Sequence, residues 1–261
     1  MSETRTMEQK AVLSMAKGLL GEAGNRVKLI LGLLVAIFST VSILLVVSAI
    51  SFLVDFDALY ASSIWFGALV EFALILMQFI LILFFGAPIY LGLYSAALKM
   101  RRGLSVDLSD FFTFFDSPSA YFRGWGIVIR VVGRAYPFLL LYGVSVVATL
   151  TGLDVLNDLT TAATFPLAVL GLYTTGRSYP FITFALCNPD MPLGRTMKNV
   201  KAMTCKKTPA IFVFRMRLYL RFLLSLVSVG VITLMHTLPL TILATHEFSF
   251  ALAREQGTSS N

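Results

Sequence analysis

The run from Phe85 to Phe115, FGAPIYLGLYSAALKMRRGLSVDLSDFFTFF, decides how the chain is organised. It reads as the end of a membrane-spanning helix, a basic stop at Lys99, Arg101 and Arg102, a turn at Gly103, and an aromatic helix laid on the membrane surface. Ser105 or Asp107 can cap that helix, with Asp110 near its positive end. Phe111, Phe112, Phe114 and Phe115 are too many phenylalanines for a water-facing helix, so they are expected in the interface or against the bundle.

Upstream, the second span is expected over about residues 63–98. Pro88 should kink it, and Gly92 with Ala96 forms a small-xxx-small pair suited to close packing. Glu71 and Gln78, seven residues apart, share a helical face inside the span. A charge in hydrocarbon costs about 2.5–3.5 kcal/mol on insertion scales, so Glu71 should face protein. Two readings are open for it: a proton or cation relay or partner of an arginine such as Arg177, and a residue close to the outer interface.

The first span is expected over residues 29–54, of which Leu29 to Val54 are free of charge. It is longer than a signal-peptide core of about 7–15 residues and has no small-residue cleavage site after it, so the chain is expected to keep its N-terminus. Before it, residues 7–23 place Val12, Met15, Ala16, Leu19, Leu20 and Ala23 on one helical face opposite Lys10, Ser14, Lys17 and Gly21. Such a helix either lies in the headgroup plane or packs on the rest of the protein.

Downstream, Arg123, Arg130 and Arg134 share a helical face and are expected to snorkel ahead of a third span over 135–152. A fourth span over 160–186 is interrupted by Gly176, Arg177 and Pro180. A polar, basic stretch follows, with Lys206 and Lys207 at its end and a second surface helix over 192–204 capped by Asp190. Further spans are expected over 211–235 and 238–253, the last interrupted by His246 and Glu247, with a disordered tail at 257–261.

Composition agrees with lipid as the solvent. The chain has 261 residues, 57% hydrophobic and 13% charged, whereas soluble domains carry about 25% charge. Its net charge of +7 is distributed as topology. Segments 1–28, 99–134 and 195–207 hold 5, 6 and 5 basic residues, and the turns at 55–62 and 151–161 hold none. A nucleic-acid binder would not alternate its cations with apolar spans, so the positive-inside rule puts the N-terminus in the cytoplasm. Arg254 favours a cytoplasmic C-terminus and hence six spans over five. The expected architecture is an all-α polytopic transmembrane helix bundle of five to six spans in one integral membrane domain, residues 1–256, with cytoplasmic interfacial helices.

These residues resemble a family of bacterial multi-spanning membrane proteins grouped as a domain of unknown function. The resemblance rests on MAKGLLGEAGNRVKL before the first span, the Gly86–Gly92 turn, Lys99 to Gly103, Ser109 to Phe115, and the tyrosine-led stretch from Tyr179 to the Asn-Pro-Asp turn ending at Asp190. Relatives tend to have an acidic residue, a serine and a glycine where this chain has Arg195, Val200 and Lys206. The resemblance implies the bacterial inner membrane and carries no reaction with it.

No catalytic, metal or cofactor constellation is expected. His236 and His246 lack ligand spacing, Cys187 and Cys205 have no histidine nearby, and the 18 glycines form no phosphate cradle. The functional expectation is a non-enzymatic membrane protein that engages membrane lipid or a membrane-protein partner, and no nucleic acid. Its contact surface would be Lys99, Arg101, Arg102, Phe111, Phe112, Lys206 and Lys207. The alternative is a small transporter or accessory permease subunit using Glu71, Gln78 and the broken fourth span with Arg177.

Overall fold

A computed structural model describes residues 2–133, 178–205, 207–229 and 231–258, with isolated positions from 158 to 173. Among the described residues the fold is helical throughout, without a strand. The elements are α1 (Ser2–Gly21), α2 (Ala23–Phe52), α3 (Phe56–Ser62), α4 (Ile64–Leu81), α5 (Ala87–Arg101), a 3-10 helix (Leu108–Phe115), α6 (Pro118–Val132), α7 (Tyr179–Cys187), α8 (Leu193–Thr204), α9 (Thr208–Val229) and α10 (Val231–Thr258). Among the described residues, two helical stretches are long and apolar enough to cross a membrane, Gly24–Phe52 and Ile64–Arg101. They are not core helices of the kind a soluble protein encloses, since little of the first one's most apolar window and none of the second's is buried. The expected span at 135–152 and most of that at 160–186 lie outside the described residues.

α5 is the hub. One of its faces, with Leu93, Ala96, Ala97 and Met100, joins Leu20 of α1, Leu29 and Leu33 of α2, Phe214 of α9 and Leu243 of α10 in the larger core. Its other side gives Leu91 to a second cluster with Phe114, Ile127 of α6, Phe181 of α7 and Val200 of α8. Tyr94 packs against both clusters. The small residues at 96 and 97 let neighbouring backbones close on α5, which supplies dispersion contacts that a lipid-facing helix would lack.

Several elements depart from the sequence expectations. The amphipathic face of residues 7–23 is spent on protein: Val12, Ala16 and Leu20 are buried where α1 runs along α10. Met15, expected on that face, is exposed, and Ala23 belongs to α2. The second apolar stretch does not bend at Pro88 by breaking. A π-helical turn over Ile82–Gly86, closed by the Ala87 N–H on the Ile82 carbonyl, links α4 to α5. Pro88 then sits in the first turn of α5, where its missing N–H costs least.

The aromatic surface helix is 3-10, not α. At three residues per turn, Phe111 and Phe114 eclipse one another and are 1% and 8% exposed. Phe112 and Phe115 face out at 38% and 41%. The surface helix at 192–204 begins after Pro192, without the Asp190 cap. No division falls near 236–238, where one was expected. α10 runs on through His236 and Pro239 to Thr258, so helix also replaces the first residues of the expected tail.

Candidate functional site

The basic stop at the end of α5 is built by a glycine turn. Gly103 adopts φ 71, a left-handed conformation that glycine alone tolerates at little cost. Its N–H bonds to the Met100 carbonyl at 3.0 Å and the Leu104 N–H to that of Lys99 at 3.1 Å, the double closure of a Schellman motif. The three cations of this turn, favoured by the helix's negative end, then part company.

Lys99 donates to Asp110 Oδ1 at 2.5 Å, while the Asp107 N–H donates to Oδ2 of the same carboxylate at 3.0 Å. The 3-10 helix is thereby stapled to α5. Burial pushes the Asp110 carboxyl up, but the Lys99 hydrogen bond, the Asp107 amide and the charges of Lys99 and Lys28 outweigh it and hold the group below its usual range. Because the folded value lies below the unfolded one, the staple contributes stability above the ordinary carboxylate range and loses it as pH falls through the folded value. Amide hydrogen exchange over 108–115 should therefore accelerate in acid, and Asp110→Asn should show fast exchange already at neutral pH. Slow exchange in that variant would mean that the staple does not hold the segment.

Arg101 turns inward rather than to the surface. Its guanidinium pairs with Glu247 of α10 through Nε to Oε1, with Nη2 at 3.4 Å from Oε2. The Phe250 ring covers it at 3.9 Å. Next to Glu247 on α10, His246 is fully enclosed. One ring nitrogen lies 2.9 Å from the Tyr94 carbonyl and the other 3.0 Å from the Thr183 hydroxyl. Thr183 in turn bonds Ser249 at 3.3 Å. α5, α7 and α10 are thus cross-linked by buried polar groups with partners, as low-dielectric interiors require. Sequence reasoning missed this junction, because Arg101 and Glu247 are far apart in the chain and an acidic residue in an apolar run names no partner. The apolar run did carry one signal: Glu247 inside it demands a cation somewhere in the fold.

Arg102 is exposed, 3.6 Å from Cys187 Sγ. The segment that follows it in the chain exposes Leu104, Leu108, Phe112 and Phe115. Of the expected contact residues, Arg102 and Phe112 are exposed, Lys99 is half-exposed with its charge on Asp110, and Arg101 and Phe111 are taken inside. Lys207 is half-buried at the start of α9, and Lys206 lies outside the described residues. Arg123 does not snorkel: it donates to the carbonyls of Ala185 at 3.2 Å, Asn188 at 2.8 Å and Met191 at 3.2 Å, closing the end of α7. Arg130 bonds its own helix at Gly126 O, and Arg134 is outside the described residues.

The intramembrane candidates are elsewhere. Glu71 accepts from the Tyr60 hydroxyl at 2.5 Å, so it is held by α3, the short connector between the two apolar stretches. Thirty residues of helix, about 45 Å, separate Glu71 from Arg101. Gln78 is half-buried two turns further along α4, and Arg177 lies outside the described residues. The hydrogen bond to Glu71, burial and the carboxylate's charge push the Tyr60 phenol up to about 12. In Glu71→Gln, one tyrosine should ionise near the ordinary 10.0 instead, a difference readable by ultraviolet titration. An unchanged titration would dissociate the pair.

Among the described residues no three metal-ligating side chains converge, and Cys187 and Cys205 are free thiols. No protein-family model, curated protein or solved structure matches the chain.

Proposed function

We propose that the chain is a multi-pass protein of the bacterial inner membrane, with five or six spans and both termini cytoplasmic. It works without catalysis, by seating a basic and aromatic rim on anionic lipid of the cytoplasmic leaflet. The observation that carries this reading is the rim itself. At the end of an apolar helix long enough to cross a bilayer, Arg102 is exposed, and the segment that follows it in the chain exposes Leu104, Leu108, Phe112 and Phe115. Large apolar side chains beside a cation are costly in water and suited to the headgroup boundary, where each basic residue gains about 1 kcal/mol from anionic lipid. The even placement of the basic segments between apolar ones supports the same orientation.

The test is lipid retention by the purified full chain in nanodiscs of mixed phosphatidylglycerol and phosphatidylcholine. Arg102→Gln combined with Phe112→Ser should lower the phosphatidylglycerol enrichment around the protein several-fold without changing its helicity. Equal enrichment in the variant would sink the lipid reading. Loss of a copurifying protein in its place would move the rim to a protein partner.

A further inference from the structure

We infer that the exposed face of α8 docks an acidic helical segment of a protein partner. Arg195, Lys198 and Lys201 follow one another at three-residue intervals along this face, and all are exposed. None of these side chains has an ion-pair or hydrogen-bond partner among the described residues. The opposite face, with Thr196, Met197, Val200 and Thr204, is buried, and Met197 and Val200 join the cluster around Leu91. Packing therefore holds the cations in register. The surrounding chain supplies almost no counter-charge: residues 178–229 carry eight basic residues and one acid, Asp190. The charge of Asp190 bears on Arg123 instead.

The stripe works against the helix that carries it. Arg195 stands in the first turn, at the positive end of the helix dipole, where a cation is unfavourable. That end has no side-chain cap and no acid to offset it. Arg195 with Lys198, and Lys198 with Lys201, are like-charge neighbours about one turn apart, which opposes the helix further. Only Lys201, in the last turn, gains from the dipole. Local conflicts of this kind collect where function requires them, and an anionic partner laid along the stripe resolves them. Spacing selects the partner. The cations sit about 5–6 Å apart at Cβ, over about 9 Å of helix. Carboxylates one turn apart on a second helix have the same pitch, and each can accept a charge-assisted hydrogen bond. A membrane surface fits less well. Between the cations the face shows Gly194, Asn199 and Ala202, none of them a large apolar side chain to enter the interface.

The experiment titrates the full chain, in nanodiscs of phosphatidylcholine alone, with a fluorescein-labelled peptide of Glu-Ala-Ala-Glu-Ala-Ala-Ala repeats. A counterpart with glutamine in place of glutamate is run in parallel. Saturable binding is expected, with the acidic peptide about tenfold tighter, a gap of about 1.4 kcal/mol. Arg195→Gln, Lys198→Gln and Lys201→Gln together should erase that gap. Lys10→Gln, Lys17→Gln and Arg26→Gln together, which remove as much charge from exposed positions on α1 and α2, should leave it. Equal affinity of the two peptides for the unaltered chain would overturn the docking site, and so would an equal loss in both triple variants. Because the α8 variant relieves repulsion, it should unfold no more readily than the unaltered chain; a clear loss of stability would make the cations structural and overturn their role in docking. Phosphatidylglycerol enrichment in mixed nanodiscs should survive in the α8 variant, and peptide binding should survive in Arg102→Gln with Phe112→Ser. Loss of enrichment in the α8 variant would overturn the protein partner and assign the stripe to lipid.

Discussion

Glu247→Ala should cost about 3–5 kcal/mol, the largest loss of any single side-chain truncation at the α5–α10 junction. The residue is buried on α10 and its carboxylate takes the Arg101 guanidinium. Removing it leaves a cation under the Phe250 ring, 3.9 Å away, where water reaches it poorly. The pair as a whole is worth much less than that loss, since ion pairs in low dielectric repay only part of their desolvation. Arg101→Met combined with Glu247→Leu should therefore recover most of the stability, because both charges then go. Reversible unfolding in mixed dodecyl sulfate and dodecylmaltoside micelles measures each variant. A double variant no better than Glu247→Ala would show that the loss arises from packing around residue 247. Glu247→Gln should fall between, keeping the shape and a hydrogen-bond acceptor while giving up the charge.

The same junction shows where sequence reasoning ends. Helical content, the two apolar stretches and the turn at Gly103 are legible because each is written in neighbouring residues: hydropathy over a window, or one glycine after a basic last turn. The fate of the three cations after Leu98 is not. Lys99, Arg101 and Arg102 look alike in a local reading, yet one closes on Asp110, one on Glu247, and one remains exposed. Pairing depends on which face of α10 and which turn of the 3-10 helix pack on α5, and those are tertiary choices. The phenylalanine run had the same ambiguity. An α-helical period and a three-residue period assign different members to the inside, and only packing against α5 chose Phe111 with Phe114. The N-terminal amphipathic face was correctly read as needing an apolar partner, but hydropathy does not say whether that partner is lipid or α10.

Gly92→Ala is expected to release the 3-10 helix from α5. A Cβ at residue 92 would overlap the Phe111 carbonyl oxygen and stand 2.6 Å from its carbon and 2.9 Å from Phe111 Cα. These are backbone atoms, with no rotamer to escape into, so the whole 3-10 segment must lift. Overpacking of this kind costs about 1–3 kcal/mol and sometimes more, and the lift also withdraws the buried Phe111 ring from its slot. Gly32 provides the control. A Cβ there would come within 2.6 Å of Phe111 Cζ and 2.7 Å of Cδ1, both in the ring rather than the backbone. A ring can turn or slide, so Gly32→Ala should be the milder change although it meets the same residue. The readout is trypsin cleavage after Arg102, which the closed turn and the staple from Lys99 to Asp110 at 2.5 Å protect. Cleavage should speed up severalfold in Gly92→Ala, and less in Gly32→Ala. Equal rates in the two variants would mean that the ring, and not the backbone contact at Gly92, holds the aromatic helix against the hub.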